Sequence, residues 1–237
     1  MPTYAPARVC IYCGAKRYSI DRVKLGEEHI VPYCINGDHV LPLASCKKCE
    51  RITGGLEQQL FGAHGHFRAA RSALSAKSRR GRPAKAFQTI PLITIESGQT
   101  VHLNMPRNYA PHYLFDVEID APPNSAVIRP LGMPIGAPGI KLSNFFRLPA
   151  KIAHSFATAE LGVGAFRPLL LDYIKDQQAN DVPWRLIGGA PWKEPSNKDY
   201  EISWREQTVQ GIKHVVVEMR LLARLNYPKF IVIAGII

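Results

Sequence analysis

Residues 10–57 read CIYCGAKRYSIDRVKLGEEHIVPYCINGDHVLPLASCKKCERITGGLE, and four cysteines in this stretch set the frame of the N-terminal region. Cys10 and Cys13 form one Cys-x-x-Cys pair, Cys46 and Cys49 form a second, and 32 residues separate the two. Each pair can place two thiolates on one side of a tight turn, and four thiolates complete a tetrahedral Zn²⁺ site with bonds of roughly 2.3 Å. A zinc ion with four sulfur ligands has no open position, so it holds a fold together and activates no water. Any chemistry must therefore come from what lies between the pairs.

Between them, the run Glu27 to Pro32 ends at a proline, Ile35-Asn36-Gly37-Asp38 is a turn signal, and Val40-Leu41 resumes an apolar run. This pattern predicts a β-hairpin whose first strand carries His29. A helix then starts near Ser45 and carries Cys46, Cys49, Glu50 and Glu57. Glu57 follows Glu50 by seven residues, about two helical turns, so the two share a helix face.

CIYCG, LGEEHIVP, LPLASCKKCE and a following glutamate resemble the HNH, or ββα-metal, endonucleases, in the branch whose hairpin and helix are pinned by a four-cysteine zinc. The resemblance is close over about the first 60 residues. It implies that His29 is the general base that takes a proton from the water attacking a phosphodiester, a task that suits neutral imidazole near pH 7. It implies that Glu28 is a ligand of a single divalent ion, and it places Glu50 where relatives have an Asn completing that site. Oxygen ligands favour Mg²⁺ or Mn²⁺ there. Two positions depart from the pattern. Leu41 stands where many members place an Asn that helps to hold the base histidine, so orientation of His29 falls to a backbone carbonyl or another side chain. The usual Asn-x-x-Lys after the fourth cysteine is Glu50-Arg51-Ile52-Thr53, and Glu57 is a rival metal ligand. The competing reading of the same cysteines is a non-catalytic zinc module that binds nucleic acid. Cys34 has no partner motif and reads as a small buried side chain, and His39 as an exposed loop histidine.

The net charge of +11 is concentrated: residues 58–95 hold seven Lys/Arg and no Asp/Glu. Arg68, Arg71, Lys77, Arg79, Arg80, Arg82 and Lys85 follow the hairpin–helix unit directly, as expected of a segment that neutralises DNA phosphates, with affinity that falls steeply with salt. Phe67 to Lys77 has the composition of a helix. Arg80-Gly81-Arg82-Pro83 is similar to the core of an AT-hook, which lies in a narrow minor groove, while a solvated phosphate-touching linker is the plainer account.

From Phe87 the composition changes. Gln88–Ile95 and Thr100–Asn104 flank Ser97-Gly98-Gln99 and predict a hairpin, with a short strand at Leu114–Ile119 among Pro- and Gly-rich loops. Lys151–Gln178 reads as the longest helical region, split by Gly162, Gly164 and Pro168. Strand candidates follow at Trp184–Ile187, Glu201–Trp204, His214–Leu222 and Phe230–Ile237. His102, His112, His154 and His214 stand alone and read as structural, with His154 the one to check for contact with the N-terminal unit.

Together these features predict an α+β protein in three parts: residues 8–62 a zinc-pinned ββα-metal unit, 63–86 a basic DNA-contacting segment, and 87–237 a mixed α+β domain. No apolar run reaches 18 residues, and the first six residues lack the basic start and apolar segment of a signal peptide. A reduced, cytoplasmic setting is the expectation, in which paired cysteines mean metal rather than disulfide. There is no phosphate-cradling loop of the P-loop type, so ATP-driven action is not indicated. The expected partner is DNA, not a membrane, and a second copy or another protein would dock through the C-terminal domain. An exclusively protein-binding regulator is disfavoured by the unopposed basic stretch.

Overall fold

The structure is a computed structural model that describes residues 4–61, 87–93, 100–106, 116–120, 127–131, 142–179, 181–190, 196–225, 227 and 229–237. The N-terminal unit is a hairpin followed by a helix: β1 (Gly26–His29), β2 (Val40–Ser45) and α1 (Lys47–Phe61). β1 and β2 pair antiparallel, Glu28 opposite Leu41 and His29 opposite Val40, with a bulge between Gly26 and Glu28. The connection makes a single 3₁₀ turn (Tyr33–Ile35) and leaves it through Asn36 in the left-handed region, φ 63°. At Gly37 a Cβ would fall 2.1 Å from the Val31 carbonyl oxygen, so the chain can pass there only as glycine.

Hairpins β3 (Phe87–Ile93) with β4 (Thr100–Pro106) and β5 (Asp116–Asp120) with β6 (Val127–Leu131) come next. The first lies where the alternating runs around Ser97-Gly98-Gln99 place it, and the second contains the strand expected near 114–119. Then come α2 (Leu142–Leu161), β7 (Arg167–Pro168) and α3 (Leu171–Lys175). The predicted helical region is divided as its glycines require, Gly162 and Gly164 both having positive φ. α2 nevertheless begins nine residues before Lys151, because it runs through Pro149 rather than starting after it. The last strands are β8 (Ile187–Ala190), β9 (Tyr200–Val209), β10 (Ile212–Leu221) and β11 (Lys229–Ile236). They form an antiparallel sheet in which β10 lies between β9 and β11, and the far edge of β11 pairs with β7 at one end and β8 at the other.

α2 is the axis of this arrangement. Ala150, Ile152, Ala153, Phe156 and Ala157 are buried, and so are its polar residues Arg147, Lys151, His154, Ser155 and Thr158. A helix buried on all sides must lie between two layers. One layer is the N-terminal unit, through α1, and the other is the sheet, through β10 and β11, whose Phe230, Val232 and Ala234 alternate inward. One apolar cluster accordingly runs from Cys10 and Leu60 through Phe146 and Phe156 to Val217 and Ala234. The buried hydroxyls are satisfied within α2, Ser155 donating to Lys151 O at 2.8 Å and Thr158 to His154 O at 2.8 Å. The Arg147 guanidinium donates to Ile174 O at 2.6 Å, which fastens α3.

The basic residues Arg68, Arg71, Lys77, Arg79, Arg80, Arg82 and Lys85, with the AT-hook-like run and the helix expected at Phe67–Lys77, lie outside the described residues. Among the described residues, no helix is long and apolar enough to cross a membrane.

Candidate functional site

Cys10 and Cys13 sit on a tight turn closed by Gly14 N–H to Cys10 O (2.8 Å) and Cys10 N–H to Ala15 O (2.7 Å), with Gly14 at φ 76°. Ile11 N–H donates to Ala44 O at 2.9 Å, which docks this turn on β2 beside Cys46. Cys46 directly precedes α1 and Cys49 lies in its first turn, so the second pair is held by the helix start. The four Sγ atoms lie within 4.8 Å of one another, with Cys13 and Cys46 at 3.6 Å. A tetrahedron with 2.3 Å bonds has edges of roughly 3.8 Å, so the four cysteines fit a zinc ion. The Cys49 thiol donates to Cys10 and backbone amides of Cys46, Tyr12 and Cys13 add to this, so that despite burial Cys10 falls to about 4 while Cys49 is pushed far up.

The pleat of β1 separates the two residues of the Glu-His pair. Successive side chains on a strand point to opposite faces. Glu28 is buried and faces α2, whereas Glu27 and His29 face outward. Inside, Lys151 of α2 brings its Nζ to 2.7 Å from Glu28 Oε1 and 3.1 Å from Glu57 Oε1. The same ammonium donates to the His29 carbonyl and, at 3.2 Å, to the Ile30 carbonyl. Burial would lower the pKa of Lys151, but the Glu28 and Glu57 carboxylates outweigh it and the net shift is upward. Burial raises Glu28, and Lys151 offsets only part of that. Tyr12, fully buried beside the pair, is raised by burial and then by the Glu28 charge.

Outside, His29, Glu27 and Glu50 line a cavity of about 480 Å³ with Tyr18, Arg22 and Lys24. The first turn of α1 supplies Glu50. Gly26 leaves room for its carboxylate, since a Cβ there would stand 3.1 Å from Glu50 Oε2 and 3.3 Å from Tyr18 Cε2. A hydrogen bond to Glu50 raises the Tyr18 pKa, and the Arg22 guanidinium lies 4.5 Å over the Tyr18 ring. The His29 ring stands edge-on to Tyr33, centroids 6.0 Å apart. The cavity therefore combines a histidine, two carboxylates and two cations.

Of the sequence-predicted residues, the structure brings Cys10, Cys13, Cys46 and Cys49 together, and His29 and Glu50 into one cavity. Glu28 and Glu57 meet instead at Lys151. The shared helix face of Glu50 and Glu57 does not bring them to one place, because seven residues span about 10 Å along a helix axis. Among the described residues, no group of three or more His, Cys, Asp or Glu side chains other than the four cysteines draws as close together. Lys151, Glu27, Arg22, Lys24 and Tyr18 were not singled out by motif. A lysine flanked by Ala150, Ile152 and Ala153 in an apolar run was the available signal for the first.

Two histidines outside the cavity bind the layers. His154 Nε2 lies 2.8 Å from Ile11 O, between the first two cysteines, and burial lowers its pKa to about 4. His39, expected in an exposed loop, is instead packed among Tyr4, Phe156 and Tyr200, ring centroids 5.7–5.9 Å away. Tyr4 reaches both His39 Nδ1 (2.7 Å) and Glu160 (2.8 Å), while Tyr200 donates to Asp38 and Asn36 donates to Asp199 (2.7 Å). Cys34, expected to be buried, is partly so and packs against the core.

The fold and site so described are those of an α+β protein with a four-cysteine centre able to hold zinc beside a polar cavity. Compared with family models, curated proteins and solved structures, the chain matches none.

Proposed function

We propose that the protein is an endonuclease of the HNH, or ββα-metal, kind that hydrolyses DNA phosphodiester bonds in the His29 cavity. The observation that carries this reading is that His29 at the end of β1 and Glu50 in the first turn of α1 open onto one cavity beside the four-cysteine centre. The zinc ion would be held by Cys10, Cys13, Cys46 and Cys49 and would be structural.

In this reading neutral His29 accepts a proton from water as the water oxygen attacks phosphorus and the P–O bond to the leaving sugar oxygen breaks. The ammonium of Lys151 donates to the His29 carbonyl and so holds the stretch of backbone that carries the ring. Arg22 and Lys24 face the anionic phosphate, and Glu50 with Glu27 offers oxygen ligands. One or two carboxylates completed by water and substrate phosphate is how proteins commonly hold Mg²⁺, so the cavity suits Mg²⁺ or Mn²⁺, which would stabilise charge on the phosphate and leaving oxygen. Glu28 and Glu57, bound to Lys151, serve the fold rather than this ion.

A second reading has one observation in its favour. Lys151 already places a cation between Glu28 and Glu57, as suits a zinc-held module that binds nucleic acid without cutting it. Plasmid cleavage at low salt with Mg²⁺ or Mn²⁺ separates the two. Wild type should nick or linearise the plasmid and His29→Ala, at equal zinc content, should not. Binding by both with cleavage by neither would establish the module.

A further inference from the structure

We propose that the loop between the first cysteine pair and β1 is a wedge that enters duplex DNA, with Ile20 and Val23 inserted at a base step and the flanking cations on the phosphates. The proposal rests on the nucleic-acid reading of the cavity, though not on catalysis.

Ile20 is 92 % exposed and Val23 68 %, whereas the next most exposed large apolar side chain among the described residues, Val163, is 51 % exposed. Single exposed apolar residues are ordinary on protein surfaces. Here, however, the two most exposed fall three residues apart on one built turn. Ser19 N–H donates to Arg22 O at 3.0 Å and Tyr18 N–H to Arg22 O at 3.1 Å, so residues 18–22 close on themselves and hold Ile20 at the tip. Tyr18 O accepts from Lys47 N–H at 2.9 Å, which anchors the turn to the start of α1. The turn is thus fixed before any partner arrives, and little order remains to be imposed on binding.

The surroundings of the tip select the partner. Lys16, Arg17, Arg22 and Lys24 flank it against a single acid, Asp21, and Tyr18, Arg22 and Lys24 also line the cavity of His29 and Glu50. A partner must therefore be anionic along its backbone and apolar within. Duplex DNA meets both conditions, since apolar wedges part stacked base pairs and kink the helix while cations neutralise phosphates. Opening a step beside the cavity would widen access of His29 to the backbone.

The test uses full-length, zinc-loaded protein without added divalent ion and a duplex containing 2-aminopurine, whose fluorescence rises on unstacking. Wild type is expected to raise the signal severalfold on binding. Ile20→Ser/Val23→Ser, which removes no buried contact and no charge, should bind with the same salt slope and within about tenfold of the affinity, yet lose most of the rise. A rise that survives in the variant, or bound wild type without a rise, overturns the wedge and leaves the nucleic-acid reading standing. Absence of any binding at low salt overturns both. Binding of wild type but not the variant to phosphatidylserine vesicles, with identical DNA behaviour of the two, assigns the loop to a lipid surface and overturns the proposal.

Discussion

The two faces of β1 differ by one residue in sequence and by their whole environment in space. Glu28 looks inward to a buried lysine from a helix more than 120 residues away, whereas His29 looks outward to a cavity shared with Glu50, Arg22 and Lys24. The inner face is an electrostatic joint between layers, and the outer face gathers a histidine, two carboxylates and two cations around an open cavity. A motif in which two functional letters stand side by side need not place both at one site, because a strand turns them apart.

The comparison is broken most severely at the four-cysteine centre, which joins the first cysteine turn to the start of α1. Cys49→Ser, or stripping metal with a chelator, should remove on the order of 10 kcal/mol of metal-coupled folding energy, seen as loss of cooperative thermal unfolding. Survival of the cooperative transition in metal-free protein would show that the packed layers suffice without the ion.

Next in size is the inner face alone. Lys151→Met leaves Glu28 and Glu57 without their shared cation and should cost about 3–5 kcal/mol in urea unfolding. Adding Glu28→Gln to Lys151→Met should recover part of that loss, since the penalty lies in the uncompensated charge. Full additivity of the two changes would mean that the residues do not act as a pair.

A pH experiment sharpens the role of the joint formed by His39. Burial lowers its pKa in the folded state, with Asp38 and Glu160 opposing. Its neutral form is therefore favoured by folding, and the stability it contributes is complete above its unfolded pKa of about 6.5 and declines as pH falls from there toward the folded value. Zinc-saturated wild type should lose stability between about pH 7 and pH 5.5 more steeply than His39→Gln; equal slopes would remove His39 from the account.

The sequence showed the outline of this molecule where chemistry is local. Two Cys-x-x-Cys pairs, a proline-terminated strand, an Asn-Gly turn and a glutamate-bearing helix predict the hairpin, the helix and the four-cysteine cluster, since each depends on residues near in the chain. The strands β9, β10 and β11 were legible for the same reason, from runs such as HVVVEMRL. What escaped was set by distance in sequence. Lys151 is 94 residues from Glu57, and a proline two residues before it masked the true start of α2. His39 reads as a loop residue until Phe156 and Tyr200 arrive around it. Glu27, Arg22 and Lys24 resemble any solvated charges until the pleat and the turn aim them into the cavity.

The smallest expected effect is at Gly26. Gly26→Ala puts a methyl group 3.1 Å from the Glu50 carboxylate, which can shift by a few tenths of an ångström. On the proposed nuclease reading cleavage should fall several-fold, while stability changes by about 1 kcal/mol, because the methyl group presses on the ends of the Glu50 and Tyr18 side chains and meets backbone, Ser45 O, only at 3.4 Å. An unchanged rate would separate the Glu50 position from the chemistry.

The proposed division of labour across β1, with the reaction on the outer face, is tested most directly by the cleavage rate per folded, zinc-loaded molecule of Glu50→Gln against Glu28→Gln. Glu50→Gln should lower the rate by about a hundredfold or more with little change in stability, as expected when a group that acts in the reaction is lost. Glu28→Gln should lower stability and leave the rate per folded molecule within a few-fold of wild type. The reverse pattern, with Glu28→Gln inactive and Glu50→Gln active, would place the reaction on the inner face and contradict the account.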